Sequence, residues 1–244
     1  MLEERRVALV TGGAKRVGRA IVQTLAAARF DVAFTYLSSE DDAKSLARDV
    51  ASRNAKALPI KADLTKPDEA VEIIFRQFSS HFNRLDLLVN NASMFVRADL
   101  AATDSTVLAN AMAIHVTSPV LLIQKFAPLL RSARGHVVNM IDLLAERPWP
   151  AYLAHSSSKA ALANATLSLA RELAPEVTVN GIAPGVIDWP ADMPAADREA
   201  YLKRVPLARA GTPDDAAKLV KFLATEGTYI TGQILRLDGG RSIS

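Results

Sequence analysis

Short apolar runs rich in β-branched residues recur along the chain at 7–10, 32–36, 57–60, 85–89, 136–141, 177–182 and 234–237, each of strand length and composition. Between them lie segments whose apolar residues repeat with helical period, at 17–29, 41–53, 68–82, 104–130, 152–173 and 213–225. Alternation of this kind predicts an α/β fold, with a doubly wound, parallel, seven-stranded sheet covered by helices on both faces. Several runs, such as Val-Ala-Leu-Val at 7–10, are apolar without interruption, as strands buried on both faces must be. Helix starts are marked by Pro and acids at 63–69 and 212–215.

No linker or repeat divides the 244 residues, which predict one domain. The least regular stretch is 184–206, with four prolines and interruptions at Gly185 and Trp189. It follows the sixth strand, at the sheet edge where open α/β folds bind ligands. That position predicts a substrate lid, against the plainer reading of a surface insertion.

Composition narrows the function classes. Half the residues are hydrophobic, enough for a substantial core. The absence of cysteine excludes disulfides, thiolate catalysis and Cys-ligated zinc. A scattered net charge of +3 points away from nucleic acid but suits an anionic cofactor. Acids ahead of the first apolar run, at residues 1–6, are unlike a signal peptide and predict an unprocessed N-terminus. No uninterrupted apolar stretch approaches the roughly 20 residues that span a bilayer, so a cytosolic protein without membrane contact is expected. His81 and His136 have no carboxylates at ligand spacing, and no metal is expected. Ser156, Ser157 and Ser158 lack the Gly-x-Ser-x-Gly setting of a hydrolase nucleophile.

The most informative local feature is Thr11-Gly12-Gly13-Ala14-Lys15-Arg16-Val17-Gly18, between the first strand and the first helix. Glycines there let backbone approach a pyrophosphate, which the helix N-terminus favours; the alternative is a simple strand-to-helix connection. No Walker pattern is present. An acid closing the second strand would hold a free ribose 2′-hydroxyl, but 34–39 reads Phe-Thr-Tyr-Leu-Ser-Ser, with no acid before Glu40. Lys15 and Arg16 add positive charge, and Ser38 and Ser39 add donors. NADPH is the expected cofactor, unless Lys15 and Arg16 are merely solvated.

Together with the loop, Asp63-Leu64, Asn90-Asn91-Ala92-Ser93, the helix carrying Lys159, Asn180 to Gly185, Tyr229-Ile-Thr-Gly232 and Asp238-Gly-Gly240 make the chain resemble the short-chain dehydrogenase/reductases over its whole length. Within them it is most similar to the pteridine reductases, through Lys15-Arg16, Asn91 to Phe95, Met140-Ile141-Asp142 and 184–190. The resemblance implies a Rossmann-type fold and hydride transfer from NADPH to a C=N bond of a pterin or dihydropterin. It implies that Arg16, Tyr36, Ser38 and Asp63 hold the adenosine half of the cofactor, with Gly12, Lys15, Val17, Gly18 and Leu64 also in the cofactor site. Asn91, Ala92, Ser93, Lys159, Pro184, Gly185 and Ile187 would hold its ribose and nicotinamide. Ser93, Phe95, Asp142, His155 and Trp189 would meet the substrate, with Phe95 stacking on the pterin; the plain alternative for Phe95 is a buried ring. Asp142, His155 and Lys159 would form the catalytic group, with His115 supporting the lysine's water or backbone network. A homotetramer is also implied, using the Ala- and Leu-rich helices 104–130 and 152–173.

Two positions depart from the family pattern. Where the family has Tyr-x-x-x-Lys the chain has His155-Ser-Ser-Ser-Lys159, and His115 stands where Asn is usual. The i, i+4 spacing keeps His155 and Lys159 on one helical face. Three readings stay open: His155 donates the proton, with solvent donation as a variant; Tyr152 replaces the missing phenol; or the chain binds NADPH or pterin as a regulator without turnover. A carbonyl reductase for another substrate is a further enzymatic alternative.

Overall fold

A computed structural model describes residues 5–189 and 193–244. Residues 1–4 of the segment read as unprocessed, and Pro190 with its two successors in the expected lid, lie outside the described residues. Seven strands form one parallel sheet: β1 (Arg6–Val10), β2 (Phe30–Tyr36), β3 (Ala57–Lys61), β4 (Leu87–Asn90), β5 (His136–Met140), β6 (Thr178–Pro184) and β7 (Ile234–Leu237). Their order is β3-β2-β1-β4-β5-β6-β7, and every pairing is parallel. The order reverses between β1 and β4, which opens a ligand crevice beyond their carboxyl ends.

The uninterrupted apolar strands follow from burial on both faces. Ala8 and Val10 of β1 join a core with Ile21, Leu25, Val220 and Leu223, whereas Val7 and Leu9 face a second core with Ile74, Phe78, Leu122 and Phe126. Successive side chains alternate sides, so each residue of β1 serves one layer or the other. The first layer holds α1 (Arg16–Ala27), α2 (Glu40–Ala51) and α8 (Pro213–Thr225); the second holds α3 (Pro67–Ser79), α5 (Ser118–Ala133) and α6 (Leu153–Glu172). The start read at 212–215 is a capping box: the Asp215 amide donates to Thr212 Oγ1 at 3.2 Å and the Thr212 amide to Asp215 Oδ2 at 3.0 Å.

The segment expected as one helix over 104–130 is built differently. It comprises α4 (Ser105–Met112), a π turn at Ala113–Thr117, and α5. The wider turn changes the helical phase and carries His115 inward, where it is buried. The continuous run Ser105–Ala133 is also long and apolar enough to cross a bilayer by length and composition. This corrects the expectation drawn from uninterrupted runs, because the isolated polar residues do not offset the surrounding Leu, Val and Ala. Leu122, Ile123, Phe126 and Leu130 of this run pack on the sheet.

The irregular stretch 184–206 contains a helix that the sequence reading did not identify, α7 (Ala195–Leu202). Eight residues with one buried side chain, Tyr201, make no periodic stripe.

Candidate active site

The crevice is built first from backbone. β1 ends at Val10, and Gly12 turns the chain with φ +63°; a Cβ there would lie 2.9 Å from Ala92 Cα. A Cβ on Gly18 would lie 2.1 Å from the Gly12 carbonyl oxygen, so neither position admits a side chain without moving backbone. The loop is pinned from the next strands. The Gly12 amide donates to Thr35 Oγ1 at 3.0 Å, and Asn91 Nδ2 donates to the Thr11 and Gly12 carbonyls at 2.9 and 3.1 Å. No side chain caps the N-terminus of α1 and its first turn holds no acid, which leaves its amides available to an anion.

A cavity of about 360 Å³ opens over this loop, walled by Gly12, Lys15, Arg16, Val17, Gly18, Tyr36, Asp63, Leu64, Asn91, Ala92 and Ser93. Every residue assigned to the adenosine half except Ser38 is in that wall; Ser38 is exposed beyond it. Thr65 holds Asp63 through its amide at 3.0 Å and its hydroxyl at 2.7 Å, which keeps the carboxyl below its usual range. Lys15 pairs with Asp42 at 3.0 Å, and the Arg16 guanidinium reaches across the cleft to the Asp188 carboxylate. Both cations are therefore engaged, not merely solvated. Glycines without room for a Cβ, uncapped amides and a long cleft fit a dinucleotide.

A second cavity, about 420 Å³, shares Arg16, Val17, Asn91 and Ser93 with the first. Phe95, Asp142, Lys159, Pro184, Gly185 and Ile187 line it, which brings the two halves of the expected site together. Phe95 is not a buried ring. It is 41% exposed and stacks on Tyr152 with centroids 4.4 Å apart.

Asp142 follows β5. Its Oδ1 accepts from the Leu144 amide at 2.8 Å, and its Oδ2 lies 3.1 Å from His155 Nε2. His155 Nδ1 lies 3.1 Å from the Met94 carbonyl oxygen. A carbonyl only accepts, so Nδ1 carries a hydrogen, and a proton must then also lie between Nε2 and the carboxylate oxygen. His155 itself is 3% exposed and is not in the cavity wall; Asp142 and the Phe95 ring, edge-on at 4.8 Å, stand between. Tyr152 does line the cavity. Helical spacing put His155 and Lys159 on one face, and both are buried there, yet only Lys159 reaches the cavity. Its Nζ donates to the Met140 carbonyl at 2.6 Å, and burial pulls its pKa down to about 8 against an opposing pull from Asp142.

The structure specifies the network around His115 and corrects the place of Trp189. His115 meets the helix of Lys159 through Ser158, not through the Lys159 ammonium. The Met94 amide donates to its Nε2 at 3.2 Å, with Ser93 Oγ at 2.9 Å, so Nδ1 carries the hydrogen and donates to Ser158 Oγ at 2.7 Å. Ser158 Oγ in turn donates to the His155 carbonyl at 2.9 Å. Burial, reinforced by Lys159 and His155, drives the His115 pKa far down and keeps the ring neutral. The π turn places His115 between the 93–94 segment and the backbone of the helix that carries Lys159. Trp189, expected against the substrate, is also absent from the wall; it packs edge-on to Tyr201 at 5.6 Å, with Arg198 over its ring. The unforeseen α7 supplies the tyrosine that holds it there.

Tyr201, Trp149, Arg147 and Arg241 also line the wall and were not singled out from the sequence. The Val186 amide donates to Tyr201 Oη at 3.0 Å, and burial raises the phenol's pKa. The only advance signal for any of them was the Pro-Trp-Pro run at 148–150.

A family model described as enoyl-(acyl carrier protein) reductase matches residues 12–242. Pteridine reductase 1 of Leishmania tarentolae is 33% identical, covering 98% of this chain and 96% of its own. The 3-oxoacyl-(acyl-carrier-protein) reductase FabG of Staphylococcus epidermidis is 32% identical, covering 96% and 97%. Among solved structures, a short-chain dehydrogenase/reductase from Serratia marcescens superposes with TM-score 0.91 at 34% identity, over 97% of this chain and 98% of that one. A blue fluorescent protein from a metagenomic library, solved with NADPH, gives 0.89 at 34% identity, over 97% of each chain.

Proposed function

The chain belongs to the short-chain dehydrogenase/reductase family and is an NAD(P)-dependent oxidoreductase, and from that premise we propose that it is an NADPH-dependent reductase of a pterin or dihydropterin C=N bond. The observation that carries this reading is a carboxylate in the cavity wall, Asp142, backed by a buried histidine and faced by an exposed aromatic stack of Phe95 and Tyr152. A flat heteroaromatic gains from such a stack while its edge atoms take hydrogen bonds. NADPH is favoured over NADH because Tyr36 and Leu37, not an acid, line the cleft at the end of β2, with Lys15 and Arg16 in the same wall.

When bound, the reduced nicotinamide supplies the hydride. Gly12, Gly18 and the α1 amides hold the pyrophosphate, while Asn91 keeps the loop in shape. Asp142 delivers to the substrate ring nitrogen the proton it shares with His155, so C=N becomes CH–NH and the carboxylate is left charged. His155 then acts as a positioning residue, holding Asp142 through Nε2, and the carboxylate regains its proton from solvent that enters the cavity it lines. Lys159, buried beneath the cavity, keeps positive charge beside that carboxylate. The protein is read as a cytosolic homotetramer, supported by the exposed Leu108 and Met112 of α4 and Leu153 and Leu167 of α6; sedimentation as a monomer would remove that part.

The test is NADPH and NADH oxidation against dihydropterins, dihydrofolate and simple ketones. Asp142→Asn should cost on the order of 10² or more in kcat, and His155→Ala should lower kcat and shift its pH profile with little change in the NADPH Kd. Tyr152→Phe should leave kcat within a few-fold. Preference for ketones would favour a carbonyl reductase. NADPH binding without any turnover, with activity appearing in His155→Tyr, would establish a regulatory binder instead.

A further inference from the structure

The two histidines that depart from the family pattern belong to one closed circuit of hydrogen bonds. The Met94 amide donates to His115 Nε2 at 3.2 Å, and His115 Nδ1 donates to Ser158 Oγ at 2.7 Å. Ser158 Oγ donates to the His155 carbonyl at 2.9 Å, and His155 Nδ1 donates back to the Met94 carbonyl at 3.1 Å. All four donors point the same way around, so reversing any one hydrogen sets two donors or two acceptors face to face. Both histidines and Ser158 are buried, and the two imidazoles meet edge to face with centroids 5.2 Å apart. Burial also keeps His115 neutral, so its Nε2 retains the lone pair that the circuit needs. Met94 itself lies in a stretch, 91–97, outside any helix or strand, and its amide is held by His115.

We propose that His115 is a positioning residue for the proton transfer: by anchoring Met94 it fixes a hydrogen on His155 Nδ1 and so turns Nε2 to Asp142, 3.1 Å away. The consequence lies in which partner holds the shared proton. A neutral imidazole with its hydrogen on Nδ1 offers a lone pair at Nε2, which a protonated carboxyl satisfies. The other tautomer, with its hydrogen on Nε2, satisfies Asp142 as an ionised acceptor and leaves it nothing to donate. His115 thus acts on Asp142 through two intermediaries, the Met94 peptide and the His155 ring. This rests on the reductase reading only in taking Asp142 as the proton donor.

The assay is nitrogen-15 NMR of the histidines in the NADPH-loaded protein, which reads the nitrogen of His155 that carries hydrogen and the rate at which that hydrogen exchanges with water. The native protein should show a slowly exchanging hydrogen on Nδ1. His115→Leu and Ser158→Ala open the circuit at different links, and each should speed that exchange about tenfold or more, the scale of one buried hydrogen bond. In His115→Gln an amide oxygen can accept where Nε2 does, so exchange should stay within about threefold of native. His136, bonded to Thr178 at 2.8 Å at the other end of β5 from Asp142, is the internal reference, and the ratio of the two exchange rates separates a local effect from a loosened fold. The kcat for dihydropterin should fall about tenfold in the Leu and Ala variants and recover in the Gln variant. A native hydrogen on Nε2 alone, exchange no faster in His115→Leu and Ser158→Ala, or a Gln variant as fast as the Leu variant, would overturn the proposal. Turnover separates it from the reductase reading. The expected exchange pattern in a protein that oxidises NADPH with no dihydropterin would sink that reading and leave His115 in its role towards His155; dihydropterin reduction with an unchanged exchange ratio in His115→Leu would do the reverse.

Discussion

Replacing Lys159 by methionine offers a test of the site's electrostatics that needs no substrate. The Nζ is fully buried, and burial lowers its pKa from an ordinary 10.5 to about 8. At about 1.4 kcal/mol per unit, that depression costs the native state roughly 3 kcal/mol wherever the lysine is charged in both states, as at pH 7. The sign follows from proton counting. Between pH 8 and 10.5 the unfolded chain holds a proton that the native protein has released, so this group's contribution to stability rises with pH across that window. Lys159→Met is close in volume and removes the titration, but it leaves the Met140 carbonyl unpaired at a cost of about 1–3 kcal/mol. The variant should thus be no less stable than native at pH 7, within about 2 kcal/mol. The discriminating number is the native-minus-variant difference, which should grow by about 3 kcal/mol from pH 7 to pH 10. Urea unfolding at fixed protein concentration measures it, and other alkaline titrations cancel between the two proteins. A difference that stays flat over this range would refute a buried lysine with a depressed pKa.

Three further outcomes are expected. Because burial keeps His115 neutral, the unfolded chain takes up a proton below about pH 6.5 that the native state refuses; native stability should fall by about 1.4 kcal/mol per pH unit more than that of His115→Leu on acidification, and parallel acid titrations would contradict this. Gly18→Ala should weaken NADPH binding at least tenfold by displacing the Gly12 carbonyl, 2.1 Å from the added Cβ, so an unchanged Kd from fluorescence titration would show that the loop yields freely. Thr212→Ala should cost about 1 kcal/mol of stability through loss of the α8 capping box, measured by the urea midpoint.

The sheet was legible because its strands are buried on both faces. A residue such as Leu9 or Val10 has to be apolar whichever layer it faces, so the hydrophobic pattern is local and survives in one dimension. The phosphate loop was legible for a related reason: only glycine meets the contact distances at positions 12 and 18, and that demand is written in residue type. α7 was not legible, since a helix with a single buried side chain leaves no stripe, and the π turn in 113–117 was not, since its extra residue per turn has no compositional mark.

The active-site departures divide the same way. Helical spacing alone determined that His155 and Lys159 share a face, and the family resemblance of the motifs implied that Asp142, Phe95 and Lys159 share one crevice. Only the tertiary structure decided which of them meets the cavity. His155 is turned into the wall because the Met94 carbonyl and the Asp142 carboxylate take both ring nitrogens, and those partners come from segments 61 and 13 residues away. His115 is carried to Ser93, Met94 and Ser158 by the phase of the π turn, and Arg147 and Arg241 line one cavity although they lie on either side of β6 in the sequence. Identity and period are properties of neighbouring residues and can be read along the chain. The partner that occupies a hydrogen bond depends on segments that only folding brings together.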